Sequence, residues 1–304
     1  MEASLVENIP SLETFLQYST NEIKEFCEKF DIKSCYLPVD GTRRFFLLFN
    51  ETKNNWNEKD LKSYFLVVNS KFREIIKLFY SYGIQNLILL LMDKSAFSRG
   101  EKYLSEAIES GIKPLYADQK YLDLYNRYDI DVQFAGFTSI FNKFLSADQL
   151  EDLISKFNSL HRKQAKNKFI IYNGLSPSDD YLLLENYANN LRKQHFDITK
   201  ELLIQKIYKT NLTKIDFSIW YGYPRDKIIP PLLWEDGPKF FVRNPTLSLQ
   251  PVQIKKAIYF CAVTKYSIKD DYYNHNFTDE FKRNERESIL SEESILGPEF
   301  YYLD

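Results

Sequence analysis

Six consecutive apolar residues at 87–92 (LILLLM) narrow the choice of fold more than any other stretch of the chain. A run of that length suits a strand covered on both faces, as in a parallel sheet packed between helices. Helical spacing precedes it. From 60 to 82 the apolar residues fall at Leu61, Tyr64, Phe65, Val68, Phe72, Ile75, Ile76 and Phe79, and Gly83 stands where a helix C-terminus is commonly closed. The same alternation runs along the chain. Strands are predicted at 34–39 (SCYLPV), 130–136 (IDVQFAG), 168–172 (KFIIY), 215–221 (IDFSIWY) and 239–242. Helices are predicted over 98–110, 176–192, 202–208 and 252–266, and over 146–161 behind the capping box Ser146-Ala147-Asp148-Gln149. Strands separated by helices in this order predict an α/β fold with a mostly parallel central sheet flanked by helices. With no internal repeat and no low-complexity linker, residues 1–304 read as a single domain. The charged stretch from about 275 to 304 reads as a surface helix and tail.

Charge and cysteine content exclude several function classes. The chain carries 40 basic and 42 acidic residues, a net charge of −2, which argues against a dedicated nucleic-acid binder. Cys27, Cys35 and Cys261 are odd in number, widely spaced and without CxxC, so neither a disulfide framework nor a zinc cluster is expected. The acidic N-terminus lacks a signal-peptide pattern, and no apolar run approaches the eighteen or so residues of a membrane-spanning helix. A cytoplasmic location is the expectation. The 22 Tyr and 24 Phe fit a Phe-rich core, or a pocket lined with rings for an apolar or cationic ligand. Composition alone favours the core.

No GxGxxG, Walker A, HExxH or GxSxG motif occurs. His161, His195 and His275 sit in polar stretches that read as solvated helix ends or loops. Asp270-Asp271-Tyr272-Tyr273-Asn274 lies near the C-terminus with no second acidic motif after it, and reads as a charged helix end. Asp179-Asp180 follow Ser178 at a helix start, where acidic residues favour the dipole.

Asp40-Gly41-Thr42-Arg43-Arg44 follows a predicted strand directly. Ligands of open parallel sheets sit at the carboxyl ends of strands. Gly41 permits a tight turn and close approach of the backbone, and the Thr42 and Arg43 N–H groups are suited to phosphate oxygens. Two adjacent guanidinium groups provide bidentate hydrogen bonds to a diphosphate. Asp40 is then a carboxylate beside the phosphates, suited to holding Mg²⁺, taking a proton or stabilising a cation. The competing reading is a solvated surface turn, since Asp-Gly is a common turn dipeptide.

The stretch SCYLPVDGTRRFF resembles the opening motif of the cis-prenyltransferase (undecaprenyl diphosphate synthase) fold, a strand ending in Met-Asp-Gly-Asn-x-Arg-Trp. More specifically it resembles an offshoot of that fold, the tuberculosinol / tuberculosinyl adenosine synthase type of diterpene synthase, whose motif also reads Asp-Gly-Thr-Arg-Arg. Arg99-Gly100-Glu101-Lys102-Tyr103 resembles an Arg-Gly-Asp-Arg-Tyr segment of that type. The likeness covers most of 30–265 and is specific around 36–46 and 99–103. It implies an essential aspartate at Asp40, diphosphate-contacting arginines at Arg43 and Arg44, and tyrosines lining the reaction centre at Tyr64 and Tyr103. It also implies a homodimer. Chain-elongating members carry Arg-Thr/Ser-Gly-Gly-Glu-x-Arg-x-Ser for a second diphosphate. Here that segment is Trp220-Tyr221-Gly222-Tyr223-Pro224-Arg225-Asp226-Lys227, with Arg225 near the second Arg, and Lys239 stands close to where an acidic metal ligand is expected.

The resemblance therefore implies a terpene synthase that ionises one allylic prenyl diphosphate, releases pyrophosphate and lets water or a small nucleophile capture the cation. Two alternatives stay open: a condensing cis-prenyltransferase or irregular, lavandulyl-type synthase, and a non-catalytic accessory subunit. The last is ranked third, because such subunits lose the catalytic Asp and Arg that this chain keeps.

Overall fold

The computed structural model describes residues 9–49, 60–92, 94–136, 141, 145–173, 177–212, 214–222, 230, 232–233, 237–267 and 300–302. In chain order the elements begin with α1 (Leu12–Leu16), α2 (Thr20–Lys29), β1 (Ser34–Pro38), α3 (Thr42–Phe49), α4 (Leu61–Ser81) and β2 (Asn86–Met92). Then come α5 (Lys94–Phe97), α6 (Glu101–Glu106), a π-helical segment (Ala107–Ile112), α7 (Pro114–Ala117), α8 (Gln119–Arg127) and β3 (Ile130–Gly136). The chain continues through α9 (Ala147–Ser159), β4 (Asn167–Asn173), α10 (Pro177–Lys193), α11 (Lys200–Tyr208), β5 (Phe217–Tyr221) and β6 (Lys239–Val242). A 3₁₀ turn (Thr246–Ser248), α12 (Pro251–Ser267) and β7 (Phe300–Tyr302) complete it.

The strands form one sheet in the order β3-β4-β2-β1-β5-β6-β7, with every neighbouring pair parallel. Alternate strand residues feed two separate cores, as the period of two requires. Cys35 and Leu37 of β1, with Leu87 and Leu89 of β2, face a layer that includes Phe72, Ile76 and Phe79 of α4 and Ile254 and Ile258 of α12. Tyr36, Ile88 and Leu90 face the opposite layer, with Ile204, Ile207 and Tyr208 of α11. The run at 87–92 is apolar throughout because both of its faces are covered.

β1 to β4 fill one side of the sheet, and the chain then crosses to the far side of β1 to lay down β5. The strand order reverses between β1 and β5, the place where open α/β sheets present a ligand crevice at their carboxyl edge. β1 pairs with β2 from Ser34↔Asn86 to Pro38↔Leu90, whereas it meets β5 at Cys35↔Phe217 and Tyr36↔Ser218. Toward their carboxyl ends, β1 and β5 separate. At the amino edge Asp216 Oδ2 accepts from the Lys33 and Ser34 backbone N–H groups, both at 2.8 Å, and from Ser34 Oγ at 2.7 Å.

The helix expected over 98–110 is broken. Gly100 takes φ +89°, α6 starts at Glu101, and the segment from Ala107 widens to a π-helix. Lys113 N–H bonds back five residues to the Ile108 carbonyl at 2.8 Å. Pro114 has no N–H to offer the Ser110 carbonyl four residues back, and Asn69 Nδ2 of α4 donates to that carbonyl in its place at 2.6 Å. At the C-terminus, residues 268–299 lie outside those described, with Asp270, Asp271 and His275 among them. Phe300–Tyr302 pairs with β6 at the edge of the sheet, a strand at the end of the stretch read from sequence as a tail.

Candidate active site

The turn after β1 opens a helix. The Gly41 carbonyl accepts from Phe45 N–H at 2.8 Å, so Thr42, Arg43 and Arg44, read from sequence as loop, form the first turn of α3. Their backbone N–H groups precede the first residue that can bond within the helix and stay available to an anion. Gly41 takes φ +70°, and a Cβ built there would lie 2.8 Å from the Tyr221 ring and 3.1 Å from Pro245 Cβ. Gly41→Ala is therefore expected to cost on the order of 1–3 kcal/mol through backbone strain and ring displacement. A urea midpoint equal to wild type would show that neither constraint is real.

Asp40 is fixed by its backbone. Its N–H donates to Thr246 Oγ1 at 3.2 Å, its carbonyl accepts from Thr246 N–H at 3.2 Å, and its Oδ1 accepts from Gly41 N–H at 2.7 Å. Buried Thr246 also donates Oγ1–H to the Pro38 carbonyl at 3.2 Å. Where β5 has diverged from β1, the turn after β6 thus takes over as the hydrogen-bonding neighbour of β1.

Tyr64 lies on α4 and is 2% exposed, while Tyr103 lies on α6, half-buried. Tyr64 OH and Thr42 Oγ1 are 2.5 Å apart, Tyr64 is also hydrogen-bonded to Tyr103, and Arg99 Nη1 donates to Tyr103 OH at 2.7 Å. Thr42, Tyr64, Tyr103 and Arg99 form one polar chain. Burial above all, and the neighbouring Tyr103, hold the Tyr64 phenol well above its ordinary range, so it stays protonated. Rings close around it, with Phe46 edge-on at 5.7 Å and Phe65 at 4.7 Å, and Phe65 lies 5.6 Å from Tyr103. The Arg99 guanidinium lies 4.9 Å from the Tyr103 ring centroid.

Of the seven residues singled out from sequence, the structure brings Asp40, Gly41 and Thr42 together, half-buried, at the carboxyl edge of β1. Tyr64 and Tyr103 join them through Thr42. Arg43 and Arg44 are exposed on the same helical turn, and Arg44 Nη1 donates to Tyr221 OH at the end of β5. Thr246, about 200 residues downstream by numbering, carries no local signal, and Tyr221, about 180 residues downstream, stood in the 220–227 segment without a role. Sequence reasoning quoted Arg99 without giving it a role.

Among the described residues, no three His, Cys, Asp or Glu side chains gather as a metal site. Lys239 begins β6, and Tyr223 to Lys227, including Arg225, lie outside the described residues. The Asp179 and Asp180 side chains are likewise outside them. His161 is exposed just past α9, as read from sequence, and its Nδ1 also pairs at 2.9 Å with the fully buried Asp131, the second residue of β3. His195 is exposed.

Solved structures of prenyl diphosphate synthases share this architecture. Lavandulyl diphosphate synthase from Lavandula x intermedia, in complex with dimethylallyl diphosphate, aligns with a TM-score of 0.54 at 14% identity, covering 75% of this chain and 94% of that one. A probable undecaprenyl diphosphate synthase from Campylobacter jejuni aligns at 0.50 and 12% identity, covering 80% and 99%. The chain has a cis-prenyltransferase-like fold. In sequence it is 21% identical over 255 residues to a tuberculosinyl adenosine transferase from Mycobacterium tuberculosis (strain CDC 1551 / Oshkosh), spanning 83% of this chain and 82% of that protein. No protein-family model matches the sequence. No helix among the described residues is long and apolar enough to cross a membrane.

Proposed function

We propose that the chain is a terpene synthase, of diterpene type, that ionises one allylic prenyl diphosphate and hands the cation to water or a small nucleophile. The observation that carries the reading is the first turn of α3. Its N–H groups, Arg43, Arg44 and the adjoining Asp40 lie together at the reversal of strand order, and Thr42 links them to the buried rings around Tyr64. Arg43, Arg44 and the α3 N-terminus bind the diphosphate and stabilise departing pyrophosphate, each preorganised donor lowering the barrier by about 3 kcal/mol. Tyr64, Tyr103 and the neighbouring rings face the allylic carbon and shield its positive charge. Tyr64 remains neutral and donates or accepts a hydrogen bond, without serving as a base. Asp40 takes the proton of the capturing nucleophile.

Mg²⁺ keeps several waters and substrate phosphate oxygens and needs few protein ligands, so the Asp40 carboxylate fits as its protein partner beside a diphosphate. There it would neutralise charge on the leaving group. The likeness in sequence to a protein named as a tuberculosinyl adenosine transferase supports a prenyl substrate. On the same footing we propose one catalytic unit over 1–304 acting as a homodimer in the cytoplasm. Cys27, Cys35 and Cys261 are free thiols, in keeping with a reducing compartment.

The test is to incubate the protein with linear and bicyclic prenyl diphosphates, with and without isopentenyl diphosphate, and identify products by mass spectrometry. A terpene alcohol or prenylated small molecule, with pyrophosphate released and no need for isopentenyl diphosphate, is expected. Longer-chain diphosphates formed only when isopentenyl diphosphate is added would replace this reading with the condensing one.

A further inference from the structure

Arg44 is exposed, and a long cationic side chain in that setting ordinarily samples many rotamers, which must be frozen when it binds an anion. Here two contacts fix it before any ligand arrives. Its Nη1 donates to Tyr221 OH, and its guanidinium carbon lies 5.6 Å from the centroid of the Tyr221 ring. Tyr221 is itself held. It is the last residue of β5, paired with Val242 of β6, and its ring packs on Gly41 so closely that a methyl group there would not fit. One side chain therefore touches both the turn that opens α3 and an arginine of the α3 first turn, from the far side of the crevice between β1 and β5. The phenol oxygen accepts one guanidinium N–H and leaves the others to point elsewhere, since arginine carries five.

We infer that Tyr221 is a positioning residue for the anion site: it holds Arg44 across the crevice, ready for a diphosphate oxygen. The inference rests on the proposed diphosphate reading and adds a residue to it that does not touch the reacting atoms. The effect of its hydroxyl passes through Arg44, whereas its ring also packs on Gly41, so removing the hydroxyl alone separates positioning from packing.

The experiment is calorimetric titration of the full chain with inorganic pyrophosphate, and in parallel with geranylgeranyl diphosphate. Wild type, Tyr221→Phe, Arg44→Gln and the double variant are compared. Phenylalanine keeps the ring on Gly41 and removes the acceptor. Tyr221→Phe is expected to weaken binding about fivefold, the scale of one side chain released from its bound rotamer. Arg44→Gln and the double variant should bind alike. Equal or tighter binding by Tyr221→Phe, or the same loss with and without Arg44, overturns the inference. Wild-type protein that takes neither ligand overturns the diphosphate reading and the inference with it. In ligand-free protein, Arg44 should react faster with phenylglyoxal in Tyr221→Phe than in wild type, as read by mass spectrometry. Equal rates would show that the contact does not hold Arg44, whatever the ligand proves to be.

Discussion

Asp40→Asn is expected to lower turnover of an allylic prenyl diphosphate by about 10²- to 10⁴-fold, the range a positioned general base contributes. The substitution is nearly isosteric. The backbone bonds to Thr246 are untouched, and the asparagine carbonyl can still accept from Gly41 N–H. What disappears is the capacity to take a proton and the negative charge beside the cation. Steady-state pyrophosphate release, run beside a melting curve, separates lost chemistry from lost fold. A variant that melts like wild type and keeps more than about a tenth of its turnover would remove Asp40 from the role assigned to it.

The largest effect on stability is expected far from that site. Asp131 is fully buried and is met by Gln133 Nε2 at 2.8 and 2.9 Å, His161 Nδ1 at 2.9 Å, Arg162 N–H at 2.9 Å and Lys168 Nζ at 3.1 Å. Burial alone pushes its carboxyl up, but the Arg162, Gln133, His161 and Lys168 donors outweigh burial and hold it below the usual carboxylate range. Asp131→Ala leaves those donors facing an apolar gap and is expected to cost about 3–5 kcal/mol. The sign of the pH dependence follows from the depressed value. The ionised carboxylate contributes fully above the unfolded pKa of about 4 and is lost as pH falls through the lower folded value. Urea titrations between neutral and strongly acid pH should show a steeper acid decline for wild type than for Asp131→Asn. Parallel declines would mean that the cluster is not linked to folding.

The fold was largely legible because a buried strand and an amphipathic helix write different periods. The run at 87–92, the α4 pattern and the Ser146 capping box each correspond to an observed element. The short α11 was read at 202–208, whereas α1, α2, α7 and α8 were not. α2 carries a complete capping box from Ser19 and Glu22, yet only Ile23, Phe26 and Cys27 mark its buried face. The π-segment was not read either: Pro114 marks a break in the helical ladder, but the donor that replaces its missing N–H, Asn69, comes from another helix. The site was half legible for the same reason. Asp40 through Arg44 are contiguous and chemically distinctive, whereas Thr246 and Tyr221 matter through where the sheet delivers them. Asp131 and His161 are 30 residues apart in sequence, so nothing local hinted that the histidine would serve a buried carboxylate.

The single crossing of the chain from β4 to β5 has a consequence for how the protein is made. Asp40 is joined to Thr246 across a separation of 206 residues, Arg44 to Tyr221 across 177, and Ser34 to Asp216 across 182. During synthesis the aspartate and both arginines leave the ribosome long before their opposite wall exists. Until β5 and β6 emerge, the nascent chain holds half a sheet with an open edge and an open-sided pocket. Contacts this distant in sequence close slowly, because a long loop must be ordered before they form. The event that completes the sheet is therefore also the event that completes the pocket, and a chain interrupted before β5 would lack both.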